Sequence, residues 1–306
     1  MIHVTRIGAG PLIHQGLCDS LGDNINGPSL IRRPDWAPGP GRYMLYFAHH
    51  MGRHIRLAFA DDLAGPWTVY RPGVLPLADT PLAQTPPDVP QPQWAVDLGV
   101  DGLYPHLASP DVHVDDDSRQ FTMWFHGLAD QGEQVSYRAV SPDGLAWQVT
   151  GPPVDQAYLR AFTWDGCQFA VGHGGQALAW TTDAPEFGPY LLGPCVRHCG
   201  IRVQGAALHI FYTRIGDAPE RVMHRSFHLA DRLENWCPLA GQEADILRPE
   251  RPWEGAELPV QPSIIGAVGF ARELRDPFVF ADDGRTWMIY AGGGEAALGL
   301  AELTGI

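Results

Sequence analysis

One pattern recurs five times along the chain of 306 residues. An apolar strand is followed by a polar turn, a second aromatic-rich strand, a loop carrying Gly, His or acid, and a third strand. The second strands begin near Tyr43 (YMLYFA), Phe121 (FTMWFHG), Gln168 (QFAV), Leu208 (LHIFYT) and Trp287 (WMIYAG). Each copy alternates apolar and polar residues over five to eight positions, the period of a half-buried strand. Asp165-Gly166, Gln204-Gly205 and Asp283-Gly284 stand where a hairpin needs its turn. A lone copy cannot cover both faces of its sheet, so the copies must stack around an axis. The pattern therefore predicts an all-β fold, a five-bladed β-propeller, as a single domain. The blades are expected near 24–70, 106–150, 157–192, 196–228 and 273–306. Residues 1–13 are read as a ring-closing strand, and the Pro-rich stretches 71–105 and 229–272 as insertions, with a short helix near 229–236. A β-sandwich would not explain five copies of one loop.

Composition narrows the chemistry. The 35 Gly and 28 Pro suit short strands and turns better than a helix bundle. All 21 basic residues are arginine, which removes a lysine Schiff base and a P-loop. A formal net charge of −14 argues against nucleic acid or an anionic membrane as partner. No apolar run approaches the length of a membrane span, and Met1–Gln15 lacks a charged-then-apolar leader. Five cysteines without a framework spacing fit a reducing compartment, so a cytoplasmic location is expected. Cys195-Val-Arg-His-Cys199 reads either as a soft-metal half-site around His198 or as two plain strand thiols.

In a propeller blade, the start of strand one and the loop between strands two and three open on the same face. Those positions hold Asn26, His49, His50 and Arg53 in the first copy, and His106, Asp111, His113 and His126 in the second. The remaining copies contribute Tyr158, Arg160 and His173, then His198, Arg214, Asp217 and Glu220, then Arg275, Asp276 and Glu295. Polar groups from every blade thus converge on one funnel, either to bind a ligand or to seal the channel by pairing with each other. Asp61, Asp143 and Asp183 recur before an outer-strand aromatic and read as structural turn residues.

At these residues the chain resembles the five-bladed propeller glycosidases, chiefly glycoside hydrolase family 43 with relatives 32, 68 and 130. Ser109-Pro-Asp-Val-His113 followed by FTMWFHG is similar to the second-blade motif of family 43, whose Asp tunes the acid. Arg275-Asp-Pro277 resembles the Arg-Asp-Pro motif of the family 32 group, whose Asp holds sugar hydroxyls. Gly27-Pro28-Ser29 falls where family 43 carries its catalytic base in an Asp-Pro pair, so this chain has Gly27 instead, beside Asn26. Where that family carries its acid Glu, this chain reads Tyr158-Leu-Arg160.

The resemblance implies a carbohydrate-active enzyme, an exo-acting glycoside hydrolase with a carboxylate pair in the funnel. Two alternatives stay open, a non-catalytic sugar-binding propeller that has lost the dyad and a glycoside phosphorylase. The leading pair is Asp276 as base or nucleophile with Glu220 as acid; Asp111 tunes or binds hydroxyls, and Glu295 is the other acid candidate. Asn26, His49, His50, Arg53, His113, Arg160, His173, Arg214, Asp217 and Arg275 are expected to bind substrate. The arginines fit an anionic group, a uronate or inorganic phosphate, or else they pair with the site carboxylates. Adjacent strand residues face opposite ways, so at most one of His49 and His50 faces the axis. Trp36, Trp94 and Trp253 are candidates for stacking on sugar rings. No cofactor is required, although His113 and His126 leave room for a central cation, calcium or a transition metal. The expected partner is a small oligosaccharide or glycoside, and no Gly-x-Ser-x-Gly elbow points to a serine hydrolase.

Overall fold

The computed structural model describes residues 2–182, 184–241, 243–266 and 269–306. Five antiparallel sheets form a five-bladed β-propeller. Blade one comprises Asn26–Arg32, Tyr43–Ala48, His54–Ala60 and Thr68–Pro76, and blade two Leu107–Asp115, Gln120–Leu128, Gln134–Ser141 and Gln148–Val154. Blade three comprises Arg160–Trp164, Cys167–Val171, Gln176–Trp180 and Pro185–Tyr190. Blade four runs through Val196–Gln204, Ala207–Arg214 and Val222–His228, with two short outer pieces, Cys237–Pro238 and Ala244–Leu247. Blade five has Leu274–Asp282, Arg285–Gly292 and Ala297–Thr304, and its outer position is filled by His3–Ile7 from the other end of the chain.

Period-two alternation explains how the blades stack. In YMLYFA every side chain is buried, but the odd and even positions go to different interfaces. Tyr43, Leu45 and Phe47 pack with Ile289 and Leu300 of blade five, whereas Met44 and Tyr46 pack with Phe121 and Phe125 of blade two. Each fully buried side chain of this size contributes roughly 1.5–3 kcal/mol. Similar clusters join blades two and three through Trp124 and Leu178, three and four through Phe169 and Tyr212, and four and five through Phe211 and Tyr290.

The outer strands depart from the sequence reading. Thr68–Pro76 extends blade one into the stretch taken as an insertion, and the segment after 229 supplies the outer pieces of blade four. Proline disguised the first of these, because Pro is tolerated on an edge strand that has no outer neighbour to bond. The 71–105 stretch also holds a helix, Gln93–Leu98, while the helix expected near 229–236 is a single 3-10 turn, Leu233–Asn235. The acid that shapes the ADDLAGPW turn is Asp62, which accepts the Ala64 N–H at 2.8 Å, rather than Asp61. Asp143 accepts the Leu145 and Ala146 N–H groups at 2.8 and 2.9 Å, an Asx-type turn. Asp183 lies outside the described residues.

Ring closure is fastened by a buried carboxylate. Glu254, fully buried, accepts Arg6 Nε at 2.8 Å, the Tyr290 hydroxyl at 2.8 Å and the backbone N–H of Glu250 and Arg251 at 2.7 and 2.9 Å. Near the axis, four of the five innermost strands share one irregularity. Their ladders slip between Asn26 and Ser29, between Ala108 and Asp111, between Val196 and Cys199, and between Arg275 and Phe278. Gly27, Ser109 and Asp276, each preceding a proline, have φ of 54°, 48° and 49°, and Tyr158 on blade three has 57°. Such bulges re-aim the side chain they carry.

Candidate functional site

Two mouths open on the axis, and the bulges separate them. Residues at or before the bulge face one end, and residues two or more positions beyond it face the other. Arg160 lies between. Its guanidinium is buried and bonds the carbonyls of Cys199 at 3.0 Å, Pro110 at 2.7 Å and Pro28 at 3.2 Å, tying blades four, two and one.

The first mouth is a funnel with a cavity of about 260 Å³. Its wall includes Trp94, Tyr104, Tyr158 and His173, and its deeper part His50, Arg197, His198 and Glu295. Glu295 is 1% exposed and follows three glycines, of which Gly292 and Gly293 have no room for a Cβ, since it would meet Trp253 and Phe270 respectively at 2.5 Å. Its Oε2 accepts Nδ2 of Asn24 and of Asn26, both at 2.9 Å, with His50 Nδ1 at 3.4 Å, and its Oε1 accepts Arg275 Nη1 at 2.8 Å. Burial alone would raise the pKa of this carboxyl. His50, Arg275 and the Asn26 amide outweigh it and hold Glu295 well below the usual carboxylate range. Burial drives the neighbouring imidazoles the other way, His106 and His173 each to about 4 and His126 well below the ordinary histidine value. Burial thus holds all three rings toward their neutral forms.

Asp276 is fully buried beside this funnel. Its Oδ2 accepts the Gly27 N–H at 3.1 Å, and its Oδ1 lies against His198 Nδ1. Asn26 thus holds Glu295 while the next residue, Gly27, holds Asp276, so both carboxylates flank one dipeptide. Gly27 itself has no room for a side chain, because a Cβ there would stand 2.9 Å from Ser109 Cα. Blades one and two approach too closely for the aspartate that the family 43 pattern puts at this position. Asp276 occupies the equivalent bulge on blade five.

Several expected site residues lie elsewhere. Glu220 is fully buried and accepts Arg197 Nε and Nη2 at 2.9 and 3.0 Å, so it braces Arg197 from behind and does not line the funnel. Arg275, also fully buried, spends its donors on Glu273, Glu295 and the Gly266 carbonyl, and acts as a support for Glu295. Asn26 has the same supporting part. Arg214 forks onto Glu243, Asp217 pairs with Arg221 at 3.0 Å, and the exposed Arg53 reaches the Gln84 carbonyl at 3.5 Å; none of them lines the funnel. Of the adjacent histidines, His50 faces the funnel, while His49 Nδ1 accepts the Met51 N–H at 3.0 Å outside it. Trp94 lines the cavity, but Trp36 packs on Phe121 at 5.1 Å and Trp253 on Tyr290 at 5.8 Å.

Asp111 and His113 belong to the second mouth, a cavity of about 490 Å³ walled by Phe162, Ile201, Val203 and Phe280, with Arg160 at its inner end. A single funnel for all the candidates is thereby corrected: Asp111 stands two residues beyond the bulge, one rung further along the axis. Burial pushes Asp111 up, yet His113, Arg160 and the Ala161 N–H bring it below the ordinary aspartate value. His113 Nε2 lies 2.8 Å from Asp111 Oδ2, which raises the histidine despite burial and the opposing Arg160. A raised histidine stabilises the fold fully below its unfolded pKa of about 6.5 and loses that contribution as pH rises through its folded value. Denaturant midpoints measured from pH 6 to 9 should therefore fall more for the native chain than for His113→Gln, and parallel curves would contradict this pairing.

His126 packs edge-on against Tyr158 with centroids 4.1 Å apart, at the funnel end, so the two histidines suggested for a cation are not brought together. Among the described residues no group of three or more His, Cys, Asp or Glu side chains is placed to hold a metal. Cys195 is exposed and Cys199 buried in the core between blades three and four. Arg197 and Tyr104, like Gln134, Asp155 and Gln156, are funnel residues that motif reading passed over. Arg197 had a signal, since it precedes His198 at the start of an innermost strand.

The fold is that of the family 43 and family 62 glycoside hydrolases, at low sequence identity. A family 43 β-xylosidase/α-arabinofuranosidase from a compost microbial metagenome, in complex with xylotriose, superposes with a TM-score of 0.59 at 12% identity, covering 98% of this chain and 94% of that one. A family 43 enzyme from Xanthomonas citri complexed with xylose gives 0.59 at 11%, covering 97% and 90%. A family 62 α-L-arabinofuranosidase catalytic domain from Coprinopsis cinerea gives 0.57 at 14%, covering 99% and 98%. The chain belongs to the family of an uncharacterized protein from Acanthamoeba polyphaga mimivirus, with which it is 31% identical over 336 aligned residues, 99% of this chain and 90% of the relative. No family model matches the chain.

Proposed function

We propose that the funnel accepts the terminal sugar of a small oligosaccharide or glycoside and that the protein is an exo-acting glycoside hydrolase. The observation that carries this reading is the pair of buried carboxylates, Asp276 and Glu295, flanking Asn26-Gly27 at the funnel. Glycoside cleavage needs one group to protonate the leaving oxygen and a second to stabilise or attack the anomeric centre. Glu295, held ionised, suits the second part, as it offers fixed negative charge to an oxocarbenium-like transition state. His198, which lines the funnel with Asp276 against its ring, is placed for the first, as a group that can pass a proton to a bound oxygen. Trp94, Tyr104 and Tyr158 supply faces for a sugar ring, and Arg197 a donor for an anionic substituent. A cavity of about 260 Å³ fits one ring better than an extended chain. The solved structures of like fold with bound xylose and xylotriose support the same substrate class.

The test is a panel of aryl glycosides and short oligosaccharides, with released monosaccharide measured in the presence and absence of inorganic phosphate. Release of single sugars without phosphate is the expected result. Turnover only with phosphate would make the protein a phosphorylase. Binding by calorimetry with no turnover across the panel would favour a sugar-binding propeller, a reading that the four donors already engaging Glu295 also support.

A further inference from the structure

The carboxylate pair leaves one buried nucleophile unused. Ser109 of blade two, His198 of blade four and Asp276 of blade five meet at the axis in a definite order. Ser109 Oγ stands 3.4 Å from His198 Nε2, and the other ring nitrogen, Nδ1, faces Asp276 Oδ1. The remaining oxygen of Asp276 is pinned by the Gly27 N–H at 3.1 Å. The three side chains are 4%, 7% and 0% exposed. That is the connectivity by which a serine is activated: nucleophile to base, and base to an anchored carboxylate that fixes the tautomer.

Two further features agree. Ser109 has φ of 48°, a left-handed conformation that costs a non-glycine residue energy and is found where a side chain must be aimed. Gly27, whose absent Cβ would lie 3.2 Å from Ser109 Oγ, leaves the hydroxyl its space. None of this was legible as a motif, because the three residues come from three blades and Ser109 lies on no Gly-x-Ser-x-Gly turn.

We infer that Ser109, His198 and Asp276 form a catalytic triad that removes a small O-acyl group, such as acetyl, from a sugar held in the funnel. Only the choice of a sugar as the carrier rests on the proposed function; the acyl chemistry does not. The Ser109 hydroxyl loses its proton to His198 Nε2 as Oγ bonds to the ester carbonyl carbon. The carbon–oxygen bond to the sugar then breaks, and His198 returns the proton to the departing sugar oxygen. Water repeats the sequence, freeing the carboxylic acid and restoring the serine. Arg197, which lines the funnel beside His198 with Nε and Nη2 already engaged, has Nη1 to turn toward the carbonyl oxygen.

The full-length protein should be treated with a fluorophosphonate probe and mapped by peptide mass spectrometry, and its turnover of p-nitrophenyl acetate and an O-acetylated xyloside measured. The expected result is a single adduct on Ser109, absent from Ser109→Ala, with ester turnover falling at least about 10³-fold in that variant. Should Ser109→Ala fail to show a cooperative melt, His198→Gln gives the same readout. No adduct, an adduct elsewhere, or ester turnover unchanged in a folded variant would overturn the triad. Sugar release from unacylated glycosides, assayed in parallel, reports on the glycosidase reading separately, so either can fail without the other.

Discussion

Arg275→Met is expected to cost the propeller at least about 3–5 kcal/mol, the penalty of stripping a buried ion cluster of one partner. Arg275 is fully buried, and three carboxylates converge on it: Glu295 at 2.8 Å, Glu273 at 2.8 Å and Glu220 at 3.6 Å. Burial opposes its charge, but those carboxylates more than compensate and raise its pKa. With the guanidinium gone, three acids share a site with Arg197 as the nearby cation. Burial already pushes Glu273 upward, so protons would be taken up and the wall between blades four and five would loosen. A domain of this kind has about 5–15 kcal/mol in total, so the variant should unfold at a much lower urea concentration or fail to accumulate. Arg275→Lys, which keeps the charge but not the fork, should fall between. A midpoint for Arg275→Met close to that of the native chain would contradict the cluster's role.

Glu295→Gln is expected to lower glycoside turnover by about 10²–10³-fold, the range for removing one preorganised electrostatic group, while saccharide affinity changes little. The amide is nearly isosteric, and its oxygen can still accept from Asn24 and Asn26. Arg275 retains Glu273 and Glu220, so this variant should fold where Arg275→Met does not. On the proposed reading it loses the fixed negative charge offered to the anomeric carbon. Turnover of the Gln variant within a few-fold of native would remove Glu295 from the chemistry and leave it as a brace for His50 and the two asparagines.

The blade count was legible because alternation with period two is local and survives in each strand. YMLYFA and WMIYAG announce strands buried on both faces, whichever partners they meet. His50 against His49 was half legible: the rule that neighbours point opposite ways was right, but not which of the two turned inward. Asp111 and His113 were assigned to the wrong mouth because one bulge decides which rung faces which end, and Ser109-Pro110 does not spell a bulge. Glu220 read as an acid on a loop. In the structure it is a brace, since Arg197, 23 residues away in sequence, grips it with two nitrogens.

By itself, then, the order of residues determined a ring of five similar sheets and a polar axis, because strand periodicity and turn chemistry act over a few neighbours. Which acids meet which bases was decided only in the folded ring. Those contacts join blades distant along the chain, and their partners were set by bulge register and by the close approach at Gly27.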